Sequence, residues 1–266
     1  SSAAPDVYKR QAMNRAIAPG AADGIGWATA QRLASKGWRV ALLDLDGSAA
    51  QGRAESLGPS HVGWGCDVSD EQQVVHSVGL LVRDWGGLDA LVNNAGIGEQ
   101  PLPTLQQDVA GFDRVLSVHL RGSFLCSRAV APSMLAQGRG AIVHLSSIAG
   151  WAGIPGRNAY SAAKAGLVGM TRAQACEWAR GGVRVNAVAP GYVHTALVDK
   201  LGREGALDIS ALARRTPLGR LAEPGEIAAA IVFLLSDEAS FITGTCLQAD
   251  GGWLALGAPE SVFDTH

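Results

Sequence analysis

The sequence predicts an α/β fold: a doubly wound parallel sheet of about seven strands with helices on both faces. Three observations carry that expectation. Short continuous apolar runs alternate along the 266 residues with stretches of helical periodicity. A glycine-rich turn stands between the first strand and the first helix. No internal repeat, low-complexity stretch or Pro-rich linker divides the chain, so residues 14–266 read as one domain. Residues 1–13 are polar and aperiodic and are set aside as a disordered or non-native lead-in.

The strands are taken in order. After the first strand, which should precede Gly20, come Arg39–Asp44, His61–Cys66, Leu88–Asn93, Ala141–Ser146, Val183–Ala189 and Thr245–Ala249. Continuous apolar runs of this length suit strands covered on both faces. Helical patterns fill the gaps. Gly26–Lys36 carries Ala28, Leu33 and Ala34 on one side and ends at Gly37. Ser69-Asp70-Glu71-Gln72 has the chemistry of a helix start. Asp108–Ala136, Asn158–Arg180 and Pro224–Leu235 read as three more helices.

Composition excludes several classes. The formal net charge is −2, from 22 basic and 24 acidic residues, without a basic stripe, so nucleic acid is not an expected partner. No apolar run approaches a membrane span. Cys66, Cys126, Cys176 and Cys246 lie far apart with no C-x-x-C pair, which reads as reduced thiols in a cytoplasmic protein with no metal site.

Gly20-Ala21-Ala22-Asp23-Gly24-Ile25-Gly26 is the first segment with chemistry in it. Glycines there allow a tight turn and a close backbone approach to a pyrophosphate, and the helix start beyond favours an anion. Asp44 ends the next strand, about 20 residues on, where an acid bonds a ribose 2′-hydroxyl. Together these make a Rossmann-type dinucleotide site. Asp44 and Asp23 repel the extra phosphate of NADP and Leu45 supplies no cation, so NAD is the expected cofactor.

From here the chain resembles the short-chain dehydrogenase/reductase family, over about Asn14 to Trp253. The motifs stand in family order: Pro19-Gly20 through Gly26, Cys66-Asp67-Val68, Asn93-Asn94-Ala95-Gly96, Ser146-Ser147, Tyr160-Ser161-Ala162-Ala163-Lys164, Pro190-Gly191 followed by Thr195, and Asp250-Gly251-Gly252. The resemblance implies that Gly20, Asp23, Gly24, Ile25, Gly26, Asp44, Leu45, Cys66, Asp67, Val68, Asn93, Ala95, Gly96, Tyr160, Lys164, Pro190, Gly191, Val193 and Thr195 bind the cofactor. It implies Tyr160 as general acid/base, Ser147 as substrate anchor with Ser146 as the alternative, and Lys164 as the group that lowers the phenol pKa. The residues agree: Tyr160 and Lys164 are four apart on a helix and share a face, and a nearby positive charge lowers a phenol pKa.

The chain departs from the family pattern at two places. Pro19 stands where a threonine is usual, and with Arg15 it predicts a short or disturbed first strand. His119 stands where the family carries an asparagine that holds a relay water. A histidine there either holds that water or relays the proton itself near neutral pH, so it joins Ser147, Tyr160 and Lys164 as a catalytic candidate. Asn186 is expected to be structural.

A substrate loop is expected over residues 192–215, a mobile lid with Tyr192, His194, Leu197 and Val198 facing the pocket. Ile97, Trp151 and Ile154 would close it from the other side. The set suits a small or medium secondary alcohol or its ketone, cyclic and aryl types included. The resemblance also implies a homotetramer or homodimer; the apolar segment Trp253-Leu254-Ala255-Leu256 is expected at an interface, with burial within the chain as the alternative. Two alternatives stay open: a dinucleotide-binding sensor with little turnover, and an NADP-dependent carbonyl reductase.

Overall fold

The structure, a computed structural model, describes residues 14–259, 261 and 262. The expected lead-in over residues 1–13 lies outside them. Seven parallel strands are described, in the order β3-β2-β1-β4-β5-β6-β7. They are β1 (Arg15–Pro19), β2 (Arg39–Asp44), β3 (Val62–Gly65), β4 (Ala90–Asn93), β5 (Gly140–Leu145), β6 (Val183–Pro190) and β7 (Cys246–Ala249). Helices α1 (Gly24–Ser35), α2 (Gly47–Leu57), α3 (Glu71–Trp85), α4 (Val109–Leu116), α5 (Gly122–Gln137), α6 (Asn158–Trp178), α7 (Ala196–Arg203), α8 (Ile209–Arg215) and α9 (Pro224–Leu235) connect them. The sheet order reverses between β1 and β4, so the crevice for a ligand opens at the carboxyl ends of those strands.

Alternation along each strand explains the two layers. In β1, Ala16 and Ala18 join one core while Ile17 joins the other. In β2, Val40 and Leu42 face the first and Ala41 and Leu43 the second. The first core is closed by α1, α2 and α9, the second by α3, α5 and α6. Leu42, Leu91 and Ile142 are completely buried, and each such side chain stabilises the fold by about 1.5–3 kcal/mol.

Helix ends follow the capping chemistry of the sequence. Asp70 accepts from the N–H groups of Gln72 and Gln73 at 2.9 and 3.2 Å, and α3 stops at Gly86 in the left-handed region. Helix α2, capped by Asp46 and burying only Ala50 and Ala54, was not expected from a pattern so weakly apolar. The stretch expected as one helix over Asp108–Ala136 is α4 and α5 joined by a π turn, Ser117–Arg121. Such a turn adds one residue to the helical circuit and re-aims its side chains, and here it carries His119.

The expected disturbance of β1 is corrected. The strand pairs with β2 over its whole length, Arg15↔Arg39 to Pro19↔Leu43, and with β4 at Ala16 and Ile17. Pro19 is its last residue, and the N–H of Gly20 bonds the Leu43 carbonyl at 2.7 Å instead. Arg15 sits at the strand's other end. Its guanidinium binds both oxygens of Asp89 at 2.7 and 3.0 Å and also the Gln137 side chain. Burial pushes the Asp89 carboxyl up, but the bonds from Arg15 and the charges of Arg15 and Arg139 outweigh it and hold it below its ordinary value.

Candidate active site

The glycine turn builds the first wall. Gly20 lies at φ +73°, where a Cβ would sit 2.6 Å from Ala95 Cα; at Gly26 a Cβ would meet the Gly20 carbonyl oxygen at 2.0 Å. Asn94 locks the turn to β4 by donating from Nδ2 to the Gly20 carbonyl at 2.6 Å. Asn94 belongs to the motif Asn93-Asn94-Ala95-Gly96, but its sequence position alone does not mark this bond. Asn93 is a buried strut, donating to the Ser127 hydroxyl at 3.0 Å and contacting His144 Nδ1 at 3.0 Å. Asp23 caps α1 through the N–H of Gly24 at 2.7 Å, and Ile25 and Gly26 follow in its first turn.

Asp44 reaches the same turn. Its Oδ2 accepts from the N–H of Ala22 at 3.2 Å, which places the acid beside the glycines, with Leu45 exposed next to it. Cys66 is buried and donates its N–H to the Asp44 carbonyl at 2.8 Å; Val68 is buried against Gly122. The Asp67 carboxylate accepts from the N–H and hydroxyl of Ser69. On the other side, Pro190 ends β6, Gly191 packs against Asp250, and Val193 bridges to Ala222. Thr195 caps α7 through the N–H of Val198 at 3.3 Å, with its methyl near Gly24, so it is a helix cap standing beside the glycine turn. The small-residue turn, the capped α1 start and Asp44 form one cradle. It fits a dinucleotide, whose pyrophosphate needs close backbone approach and whose ribose needs an acceptor.

Beyond the cradle, at the end of β5, are the candidate chemical groups. The Ser147 Oγ accepts from the N–H of Ala149 at 3.1 Å, and its hydroxyl lies near enough to the Tyr160 phenol to favour the phenol's ionised form. The neighbouring Ser146 hydroxyl instead donates to the Lys164 carbonyl at 2.9 Å, which takes it out of the anchor role. Lys164 is buried, donates to the Leu145 carbonyl at 2.6 Å and stands 5.4 Å from the centroid of the Tyr160 ring. Burial lowers its pKa to about 7. Burial raises the Tyr160 phenol; the nearby Ser147 hydroxyl and the charge of Arg157 act against that rise.

His119 projects from the π turn onto this cluster. Its ring stands edge-on to Tyr160, with centroids 5.3 Å apart and planes at 89°. Its Nε2 lies 2.9 Å from the Ile97 carbonyl and 3.1 Å from the Ile97 N–H, and its buried Nδ1 has no protein partner. The Gly96 position must be a glycine, since a Cβ there would lie 2.4 Å from the ring. Burial, then the charge of Lys164, lowers the His119 pKa to about 3. The ring is thus held neutral around neutral pH, with Nδ1 left as an acceptor.

The expected substrate residues divide. Ile97 touches His119, and Tyr192 is close enough to Tyr160 and Arg157 to interact electrostatically with both. Ile154 is partly buried before Arg157, and Leu197 is exposed on α7. His194 is corrected: its ring bonds Asp199 at 2.7 Å and faces Glu223 at 3.5 Å, in a cleft beside α1 and the start of α9. Trp151 is half exposed and lies beside the Cys246 thiol on β7. Trp253, expected at a subunit interface, packs within the chain against Tyr192 at 5.0 Å and under Arg215 at 4.7 Å. Arg157 was missed because it lies in no motif; only the fold brings it to the tyrosines.

Fold and site together define a dinucleotide-binding oxidoreductase of the doubly wound class. The chain belongs to the short-chain dehydrogenase/reductase family, whose members bind a nicotinamide cofactor, NAD or NADP. A family model described as Enoyl-(Acyl carrier protein) reductase matches residues 20–254. The chain is 44% identical over 244 residues to a cis-4-hydroxycyclohexanecarboxylate dehydrogenase of Sinomonas cyclohexanicum, covering 91% of this chain and 96% of that one. It is 40% identical to a D-threitol dehydrogenase of Mycolicibacterium smegmatis, over 90% of this chain and 92% of that one. The crystal structure of levodione reductase superposes with a TM-score of 0.85 at 36% identity, covering 91% and 98%. The structure of ElxO with NADP bound gives 0.87 at 28%, covering 92% and 100%. The chain spans only 44% of an uncharacterized short-chain type dehydrogenase/reductase of Sinorhizobium fredii, to which it is 44% identical. Among the described residues no helix is long and apolar enough to cross a membrane.

Proposed function

We propose that the protein is an NAD-dependent oxidoreductase interconverting a secondary alcohol and a ketone, with Tyr160 as general acid/base. The observation that carries this reading is the convergence of the Ser147 hydroxyl, Lys164 and His119 on the Tyr160 ring, with the glycine cradle alongside. Bound NAD⁺ would supply the hydride acceptor, held by the turn Gly20–Gly26, Asp44 and Lys164. The chain's own residues manage the proton. Ser147 orients the substrate oxygen. Tyr160 takes the hydroxyl proton as the carbinol C–H bond gives up its hydride, and returns it in the reverse direction.

The preference for NAD rests on Asp44, a carboxylate at the place where NADP carries an anionic phosphate. The proposed substrate is a cyclic secondary alcohol or its ketone. This is supported by the apolar character of Ile97, Ile154 and Tyr192, and by the similarity to the cis-4-hydroxycyclohexanecarboxylate dehydrogenase and to a 2,5-dichloro-2,5-cyclohexadiene-1,4-diol dehydrogenase of Sphingobium indicum. A homotetramer or homodimer is part of the proposal; exposed Val109 and Phe124 on α4 and α5 support it. So is a cytoplasmic location, supported by four free thiols. The test is a panel of cyclic, linear and aryl alcohols with NAD⁺ or NADP⁺, followed by reduced-cofactor absorbance. NAD⁺-linked turnover with the cyclic members supports the reading. Binding without turnover across the panel overturns it in favour of a sensor.

A further inference from the structure

Helix α6 starts without a cap of its own: Arg157, at the N-cap position, offers no side-chain bond to the first turn. The first N–H groups of a helix need partners. Two of them find one in Glu99, on the loop that follows β4. Its Oε1 accepts from the N–H of Ala159 at 3.2 Å and its Oε2 from the N–H of Tyr160 at 3.1 Å. A carboxylate at this end also complements the helix dipole.

Two residues earlier the same loop grips the other ring of the site. The Ile97 N–H and carbonyl both lie within 3.1 Å of His119 Nε2, and Gly96 leaves room for that ring. Residues 96–99 thus hold His119 at one end and the backbone of Tyr160 at the other. The rest of the loop is sewn down beside them. Gln107 donates to the Leu102 and Gly156 carbonyls at 2.8 and 2.9 Å, and Asn158 donates to Thr104 and Gln107. None of these outer bonds reaches Tyr160.

We propose that Glu99 is a positioning residue for the reaction: its carboxylate, by bridging the loop after β4 to the Tyr160 amide, sets the phenol against Ser147 and His119. The proposal rests on the reading of Tyr160 as acid/base for its kinetic consequence, but not for its structural one. A reacting group displaced by about 1 Å costs on the order of 100-fold in rate.

The test uses the full chain labelled with ¹³C at the tyrosine ζ carbon. The sequence has three tyrosines, so the spectrum is small, and Tyr160→Phe assigns the Tyr160 signal. Glu99→Ala should shift or broaden that signal. Glu99→Gln keeps one acceptor and turns a donor on the second amide, and should give an intermediate shift. With a turned-over alcohol, kcat should fall about 10- to 100-fold in Glu99→Ala and about 3- to 10-fold in Glu99→Gln, while KM and the Kd for NAD stay within about twofold. An unmoved Tyr160 signal in folded Glu99→Ala overturns the proposal, and in Glu99→Gln it does so should the alanine variant not fold. A loss confined to KM also overturns it, since Glu99 would then be part of the substrate wall. A shifted signal in a protein that turns over no alcohol supports Glu99's positioning role and counts instead against the proposed activity.

Discussion

His119 stands edge-on to Tyr160, the ring centroids 5.3 Å apart at 89°, with its Nδ1 buried and free of any protein partner. An unpartnered buried acceptor next to the proposed general acid/base is costly unless it serves the reaction. The neutral ring can accept a hydrogen bond at Nδ1 while Nε2 stays on Ile97.

The first prediction follows from that geometry. An asparagine at this position keeps an acceptor, so His119→Asn should retain or raise turnover. His119→Phe keeps the packing against Gly96 and Tyr160 but loses the acceptor, and should lower kcat by about 10²-fold or more. Steady-state kinetics on the two folded variants checks this. Equal activity in both would remove His119 from the proton path.

The second concerns stability and pH. His119 and His144 are held neutral, their pKa values lowered from 6.5 to about 3 and about 4. For His144, burial is the largest cause and outweighs its bond to Gln174. Below 6.5 the unfolded chain takes up protons that the folded chain refuses. Stability is therefore complete above pH 6.5 and falls as pH drops towards 4, by up to about 1.4 kcal/mol per pH unit for each histidine. Urea titrations at pH 7, 6 and 5 should show this slope, and His119→Asn should flatten it. An unchanged slope in that variant would mean the ring is not held neutral.

How much of this was legible beforehand depends on the kind of signal. All seven strands and the start of α9 at Pro224 could be read because period and capping residues are local. Helix α2 was missed because only two alanines face the core. Arg15 in a strand looked like a fault, and its partner Asp89 is 74 residues away. The same limit hid Glu99, 61 residues from the amide it bonds. His194 does lie in the expected lid segment, but its bonds to Asp199 and Glu223 turn its ring towards α1 and the start of α9, a direction that sequence order does not reveal. Motif residues announce themselves; residues that act across the fold do not.

The third prediction tests cofactor choice. Asp44→Ala removes the charge beside the glycine turn, and adding Leu45→Arg supplies a cation for a phosphate. The double variant should move the ratio of kcat/KM for NAD⁺ to that for NADP⁺ towards NADP⁺ by about 100-fold or more, since each charge-assisted contact contributes about 1.5–3 kcal/mol. A ratio unmoved by both changes would place the discrimination away from Asp44.

The most direct test of the whole account is Tyr160→Phe, which removes one oxygen atom and leaves the ring against His119. NADH affinity by fluorescence should stay within about threefold of the parent protein, while alcohol-dependent NAD⁺ reduction falls by about 10³-fold or more, as expected when the proton-transfer group itself is lost. Turnover within about tenfold of the parent in a folded, NADH-binding variant would contradict the assignment of Tyr160 as acid/base.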